Sequence, residues 1–355
     1  MQNFISKISS AAEIIKSMEE KKKALAEFLA KERDKFSKSP DVIENNLVYK
    51  VAPQNLSGKK IVAVDGGLSH HSYHGLELAL LRAVAVLFSY NENGKSSVSY
   101  YPEPSPSPEI ILVSDPYNDS GLDASNERMR NEIETATAAA KKFSPDLLLM
   151  DGMIVPHMND IPKENSDSHE RFLRTVKSFK NLYDSVSGLL AGCIEDSRGK
   201  RFCEILSKNG IMGENAEMRN ALKTTSDTSL LFYLLDYGER TCAFRFSGDG
   251  LTNILGEQGK NIYSFYMKAA KFDRPLRVDF YCKNSENAAA TAGNVSSLII
   301  SSCCHDSYGF PAPLIEADFR AKLPEDEIEK LRDQLLDRIG IAPSLMKMRR
   351  ELRPL

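Results

Sequence analysis

The chain has 355 residues, 42% hydrophobic and 27% charged, a balance that suits a globular protein with a full-sized core and one or two compact units. Its formal net charge of −3 offers no global attraction to a polyanion, so a nucleic-acid role has to rest on a local basic surface or on metal ions. The six cysteines form no C-x-x-C pair and no metal-ligand spacing, and neither a signal peptide nor a bilayer-spanning apolar run is found, so reduced thiols in a cytoplasmic protein with no membrane contact are expected.

Residues 8–37 predict one long charged helix. Ile8, Ile15, Met18, Leu25 and Phe28 form a narrow apolar seam suited to a partner helix, from this chain or from another copy. "IVAVDGG" (61–67) reads as a short buried strand that turns at its glycines. "LELALLRAVAVLFSY", the Asn-Gly turn in "NENG" and "KSSVSYY" form a hairpin. A proline-rich connection (102–109) leads to a helix over 125–143, with Ser125 as its N-cap. Further along come a strand in "DLLLMDGMIV", a helix over 168–186, a strand in "GLLAGCIED" and a short helix starting near Arg201. The alternation predicts an α/β core of roughly 150 residues. Residues 211–260 read as an inserted segment. Antiparallel strands, a helix over 285–302 and a long C-terminal helix near 313–337 close the chain.

Three strands end in carboxylates: Asp65, Asp151 and the Glu195–Asp196 pair. Strand ends are where open α/β sheets bind ligands, although Asp-Gly is also ordinary turn chemistry. Close carboxylates repel, and a site that gathers several needs a divalent cation. Oxygen donors favour Mg²⁺ or Mn²⁺, which polarise phosphates and activate water. The helix before Asp151 offers Glu127, Glu132 and Glu134. Arg130, Glu134 and Ala138 share one face, expected to lie against the sheet, whereas Glu132 points elsewhere.

"IVAVDGG", "RMRNEIETATAAA", "DLLLMDGMIV", "LLAGCIEDSRG" and "YGFPAPLIEADFRAKL" together resemble the NurA family of DNA-repair nucleases, from about residue 55 to 325. The family's C-terminal Gly-Tyr-Pro, Leu and Ala-His are here Gly309, Phe310, Pro311, Leu314, Ala317 and Asp318. The resemblance implies an RNase H-like mixed-sheet core flanked by helices, a homodimer, and dependence on Mn²⁺ or Mg²⁺. It further implies degradation of double-stranded DNA ends and single strands, and work with a HerA-type hexameric ATPase in double-strand break end resection. Carried over by position, Asp65, Glu134 (seventeen residues before Asp151), Asp151 and Asp318 are the catalytic and metal-ligating residues. Asp318 replaces a histidine and remains a competent ligand for a hard cation. Phe310 replaces a tyrosine and removes one hydroxyl, with Tyr308 two residues away.

The domain organisation expected on this basis is an N-terminal helical arm (1–40), a nuclease domain (55–340) carrying the insertion, and a tail (341–355). Lys200 and Arg201 are candidates for phosphate contact. His70, His71 and His74 form a loop cluster that could hold a soft metal, and His157 and His305 could stand near the carboxylates. The aromatics of "IYSFYMKAAKF" and "RVDFY" read as sheet core rather than base-stacking platforms. Two other functions fit parts of the pattern: a catalytically weak nucleic-acid-binding adaptor of a translocase, and an ATP-dependent phosphotransferase of the actin and sugar-kinase type. The second lacks a convincing Gly-rich phosphate loop.

Overall fold

The computed structural model describes every residue except 1, 94, 114–119, 158–160, 165, 214, 247–248, 350, 352 and 354–355. Gly94 of the Asn-Gly turn therefore lies outside the described residues. In chain order the elements are α1 (Gln2–Glu32), β1 (Val48–Lys50), β2 (Lys60–Ser72), β3 (Glu77–Tyr90), β4 (Ser96–Tyr101), β5 (Glu109–Val113), α2 (Ser120–Phe143), β6 (Leu147–Asp151), α3 (Asp167–Ser185) and β7 (Leu189–Ile194). They continue as α4 (Arg201–Lys208), α5 (Ala216–Thr224), α6 (Asp227–Leu234), β8 (Glu239–Thr241), β9 (Phe244–Arg245), α7 (Asp249–Leu255), β10 (Ile262–Met267), β11 (Leu276–Tyr281) and α8 (Ala288–Ser302). The last are β12 (Cys303–His305), β13 (Tyr308–Pro311), α9 (Ala312–Ala321) and α10 (Glu325–Ile339). The chain forms two compact units, one of residues 1–55, 193–250 and 260–311, the other of 56–192, 251–259 and 312–355.

In the second unit the strand order is β7-β6-β2-β3-β4, with β5 also paired to β3. β2 runs antiparallel to β3 and parallel to β6, so the sheet is mixed. With helices on both faces, this is the mixed-sheet core flanked by helices that the sequence predicts. The apolar run of β3 explains its place inside the sheet: Leu78 to Leu81 and Ala83 to Leu87 are all buried. α2 lays Ile133, Ala136, Ala139 and Ala140 against its neighbours at helical spacing, and α3 does the same with Phe172, Val176, Phe179 and Leu182. Ser166 caps α3, its hydroxyl accepting the His169 amide at 3.1 Å.

α2 begins at Ser120, so Ser125 lies inside the helix and is not its N-cap. Two other elements differ from the sequence reading for a clear local reason. β2 does not turn at its glycines but pairs with β3 for thirteen residues, from Lys60–Ser89 to Ser72–Glu77. The buried run of β3 needs a partner along its whole length, and that demand outweighs the loop-like composition of "GGLSHHS". The C-terminal helix is broken into α9 and α10 at Pro324, which has no N–H to give and clashes with a preceding helical turn.

Consecutive residues of a strand face opposite sides, and the paired glycines use this. A Cβ on Gly66 would stand 3.1 Å from Glu132 of α2, whereas one on Gly67 would stand 2.1 Å from the Ala321 carbonyl oxygen of α9. α2 and α9 thus cover opposite faces of β2, α9 at a distance that only glycine permits and α2 close enough that a methyl group would press on Glu132.

The first unit holds the antiparallel order β1-β8-β10-β11, with β9 also on β10. Its core gathers Leu25 and Leu29 of α1, Phe202 of α4, Leu230 of α6, Phe244 and Tyr266. Tyr263, Phe265, Tyr266 and Phe280 are fully buried sheet core. The first half of α1 differs: Phe4, Ile5, Ile8, Ile15 and Met18 are all exposed. Among the described residues no helix is long and apolar enough to cross a membrane.

Gly67→Ala is expected to destabilise the protein by about 1–3 kcal/mol, because backbone rather than a flexible side chain must give way. A urea-unfolding midpoint equal to that of the unaltered protein would contradict this seating of α9 on β2.

Candidate active site

The parallel register of β2 and β6 pairs Ile61 with Leu147 and ends at Val64–Met150. The next residue on each strand is an aspartate, Asp65 and Asp151, so the two carboxylates emerge side by side where the pairing stops. Beyond that point the strands separate. β6 ends at Asp151 and turns through Gly152, whose φ of +92° favours glycine, while β2 continues along β3. From the opposite direction α9 brings Asp318, one turn before its end. Oxygens of Asp65, Asp151 and Asp318 all lie within 4.8 Å of one another.

Glu134 is not brought to this group. Its side chain is 52% exposed, accepts a hydrogen bond from Ser178 Oγ at 3.1 Å and pairs with Arg130 at 3.3 Å. The placement of its face against the sheet is thereby corrected. α2 turns Glu132, Ile133, Ala136, Ala139 and Ala140 inward, the small alanines allowing close approach, and the Arg130–Glu134 face remains outside. Glu132, expected from the helix spacing to point elsewhere, is the glutamate that is buried against β2, where the charges of Asp65 and Asp151 act on it. Its side chain is only 6% exposed and lies over Gly66. The signal that points to it is the adjacent glycine in β2, a gap on the α2 side that a long side chain can fill.

Burial pushes the Glu132 carboxyl well above the usual carboxylate range. The nearby Arg128 guanidinium opposes this shift, and the Asp65 and Asp151 charges add to it. Asp65 is raised in the same direction, first by burial and further by Asp318, against the Gly66 amide and Arg128. Arg128 Nη1 donates to Glu132 Oε2 at 3.0 Å and to the Gly66 carbonyl at 3.1 Å.

A pair of ionised oxygens at such separations repels by roughly 3–4 kcal/mol near a protein surface, and less where solvent reaches it, as at Asp318. The group stays together by retaining protons, by the one guanidinium, or by taking up a cation. Its donors are all carboxylate oxygens, which fits a hard divalent ion such as Mn²⁺ or Mg²⁺ and suits soft metals poorly.

The other candidates are placed elsewhere. His70 contacts Glu77 at 2.9 Å, His71 contacts Glu351 at 3.2 Å, and His74 is exposed, so among the described residues the three do not converge on a metal-sized point. His70 and His71 sit on β2, not on a loop. In the first unit Asp196 pairs with Arg274 at 2.9 Å, and Glu195 accepts the Tyr308 hydroxyl. Phe310 is buried there, and Arg201 pairs with Asp41 at 2.8 Å. Lys200 Nζ reaches the Lys223 carbonyl at 3.5 Å, and His305 is exposed on β12. None of the six cysteines forms a disulfide, and four are buried.

Comparison with known proteins adds to this geometry. The family model of the NurA domain matches residues 59–323. The NurA nuclease from Sulfolobus solfataricus is similar in structure, with a TM-score of 0.61 and 16% identity over 95% of this chain and 98% of that one. A NurA bound to dAMP and manganese gives a TM-score of 0.54 and 12% identity over 84% and 91%. A NurA with manganese gives 0.53 and 12% over 83% and 92%. A sequence search of curated proteins found no match.

The raised carboxyls carry a consequence for stability. Asp65 and Glu132 hold protons more tightly in the folded chain than in the unfolded one. Their contribution to folding is therefore fullest below the unfolded carboxylate range, about pH 4, and is lost as pH rises through the raised values. In the metal-free protein, Asp65→Asn should gain on the unaltered protein in Tm as pH goes from about 4 to 7, by about 2–4 °C for each kcal/mol of burial and repulsion cost removed. A Tm difference that stays flat over that interval would show that neither burial nor its neighbours raise the Asp65 carboxyl.

Proposed function

The chain belongs to the NurA domain family, and from that membership and the acidic cluster we propose that it is a divalent-metal-dependent nuclease that hydrolyses phosphodiester bonds of DNA. The observation that carries the reading is the convergence of Asp65, Asp151 and Asp318 within 4.8 Å beside the buried Glu132. These four carboxylates are assigned as the metal-holding residues, with Glu132 taking the role that sequence reading gave to Glu134. A bound Mn²⁺ or Mg²⁺ supplies charge neutralisation at the scissile phosphate and lowers the pKa of water.

The chain's own residues do the rest by position. Asp65 and Asp151 are carried on adjacent strands of one sheet, so their spacing is held by backbone hydrogen bonds rather than by side-chain freedom. Glu132 is shielded from water on the α2 side. Asp318 approaches from α9 and is the most exposed of the four, which places it at the open side from which a polyanionic substrate arrives. The replacement of the family's histidine by Asp318 exchanges a nitrogen donor for an oxygen donor and so keeps a ligand in the group, which favours an active site over the adaptor reading.

Family membership also supports a homodimer, a HerA-type hexameric ATPase as partner, and a role inside the cell in end resection of double-strand breaks. The exposed first half of α1 is assigned to the dimer contact, since Ile8 and Ile15 extend the seam that Leu25 and Leu29 bury within the chain.

Purified protein with Mn²⁺ should cleave linear duplex and single-stranded DNA. Asp65→Ala and Asp151→Asn should each lower the rate by about 100-fold or more, while Glu134→Gln stays within about threefold of the unaltered protein. DNA binding with no metal-dependent cleavage would replace this reading with the adaptor. ATP turnover with DNA left intact would favour the phosphotransferase. For assembly, an Ile8→Glu, Ile15→Glu double variant should shift the mass seen by light scattering from dimer to monomer, and an unchanged mass would move the contact away from α1.

A further inference from the structure

Two arginines stand two residues apart on α2 and meet different surroundings. Arg130, with the same 30% exposure as Arg128, pairs with Glu127 and Glu134 and reaches no group of β2 among the described residues. Arg128 lies one turn before Glu132, 30% exposed, and its Nη1 spans two acceptors that belong to different elements. One is Glu132 Oε2 at 3.0 Å, and the other is the carbonyl of Gly66 at 3.1 Å, the residue that follows Asp65 on β2. The same glycine leaves the space that Glu132 fills. The guanidinium therefore closes a small circuit of Asp65–Gly66 backbone, Glu132 carboxylate and α2.

From this geometry we infer that Arg128 is a positioning residue of the acidic site. It fixes the Glu132 carboxylate toward Asp65 and Asp151, and it serves as the internal counter-charge that lets the carboxylates assemble before any cation binds. A buried carboxylate near two other acids is costly without a compensating charge. A guanidinium forked between an acid and a backbone carbonyl supplies that charge and sets a direction, as neutral amides do not. The inference rests on the nuclease reading of the same site, and its test separates the two.

In metal-free protein, Arg128→Gln should lower Tm, because Glu132 is left buried without its counter-charge. Adding Glu132→Gln should recover most of that loss, a non-additive cycle that a merely structural arginine would not produce. With Mn²⁺ and linear DNA, Arg128→Gln should lower kcat by about tenfold or more with KM for DNA within about twofold. Arg128→Lys, which keeps the charge and a donor, should recover part of kcat, and Arg130→Gln should match the unaltered protein. Additive Tm losses in the cycle would overturn the inference. So would a raised KM with unchanged kcat, which would make Arg128 a direct phosphate contact. If the unaltered protein cleaves no DNA, the nuclease reading fails, and the metal-free cycle still decides whether Arg128 acts through Glu132.

Discussion

Parallel pairing of β2 with β6 is the constraint on which the site depends. The pairing ends at Val64–Met150, and both strands place an aspartate at the following position. A parallel register is set by evenly spaced backbone hydrogen bonds and by the burial of Ile61 to Val64 and Leu147 to Met150 on both strands. A slip of one residue would exchange the faces of Asp65, Gly66 and Gly67 along with the rest, and the close seating of α9 at Gly67 forbids it. The separation of two repelling carboxylates is thus held by the whole hydrophobic core, and the repulsion is too small to disturb it.

The second constraint is access from both faces of β2. A strand interior ordinarily keeps helices at side-chain distance, but Gly66 and Gly67 remove that spacing on one face each. α2 can then seat Glu132 over the strand, and α9 can bring its last turn, and with it Asp318, onto the other side. The same pair of glycines that looks like a turn is a point of close approach within a continuous strand. Arg128 completes the α2 side by tying Glu132 to the carbonyl of Gly66. In this way the acidic group is supported by a sheet register, two glycine gaps and one guanidinium before any ion is considered.

Much of this was legible in the residues. The apolar runs of β2, β3, β6 and β7 identified the sheet, and the strand-end positions of Asp65 and Asp151 identified the place of the site. Asp318 was reached through a family-like segment rather than through physics, since nothing in its local helix marks it. Glu132 was missed for a physical reason. α2 is rich in Glu, Arg and Ala, so its inward face is not announced by large apolar residues, and both Glu132 and Glu134 fit a helix of that composition. Burial against the sheet chose between them, through the alanines at 136, 139 and 140. The histidines misled for a related reason. "SHHS" has the composition of a loop, yet it pairs with the first residues of β3 and places His70 against Glu77.

Sequence by itself determined the α/β class, the strand-end aspartates, the family and the all-oxygen character of the acidic donors, because each follows from residue type and order along the chain. Tertiary structure decided which glutamate of α2 is buried over β2, what the glycine pair is for, and that an arginine stands among the acids. Those three are matters of which face of α2 meets β2. That choice is made by packing between elements far apart in sequence, and no local pattern in a helix of Glu, Arg and Ala encodes it.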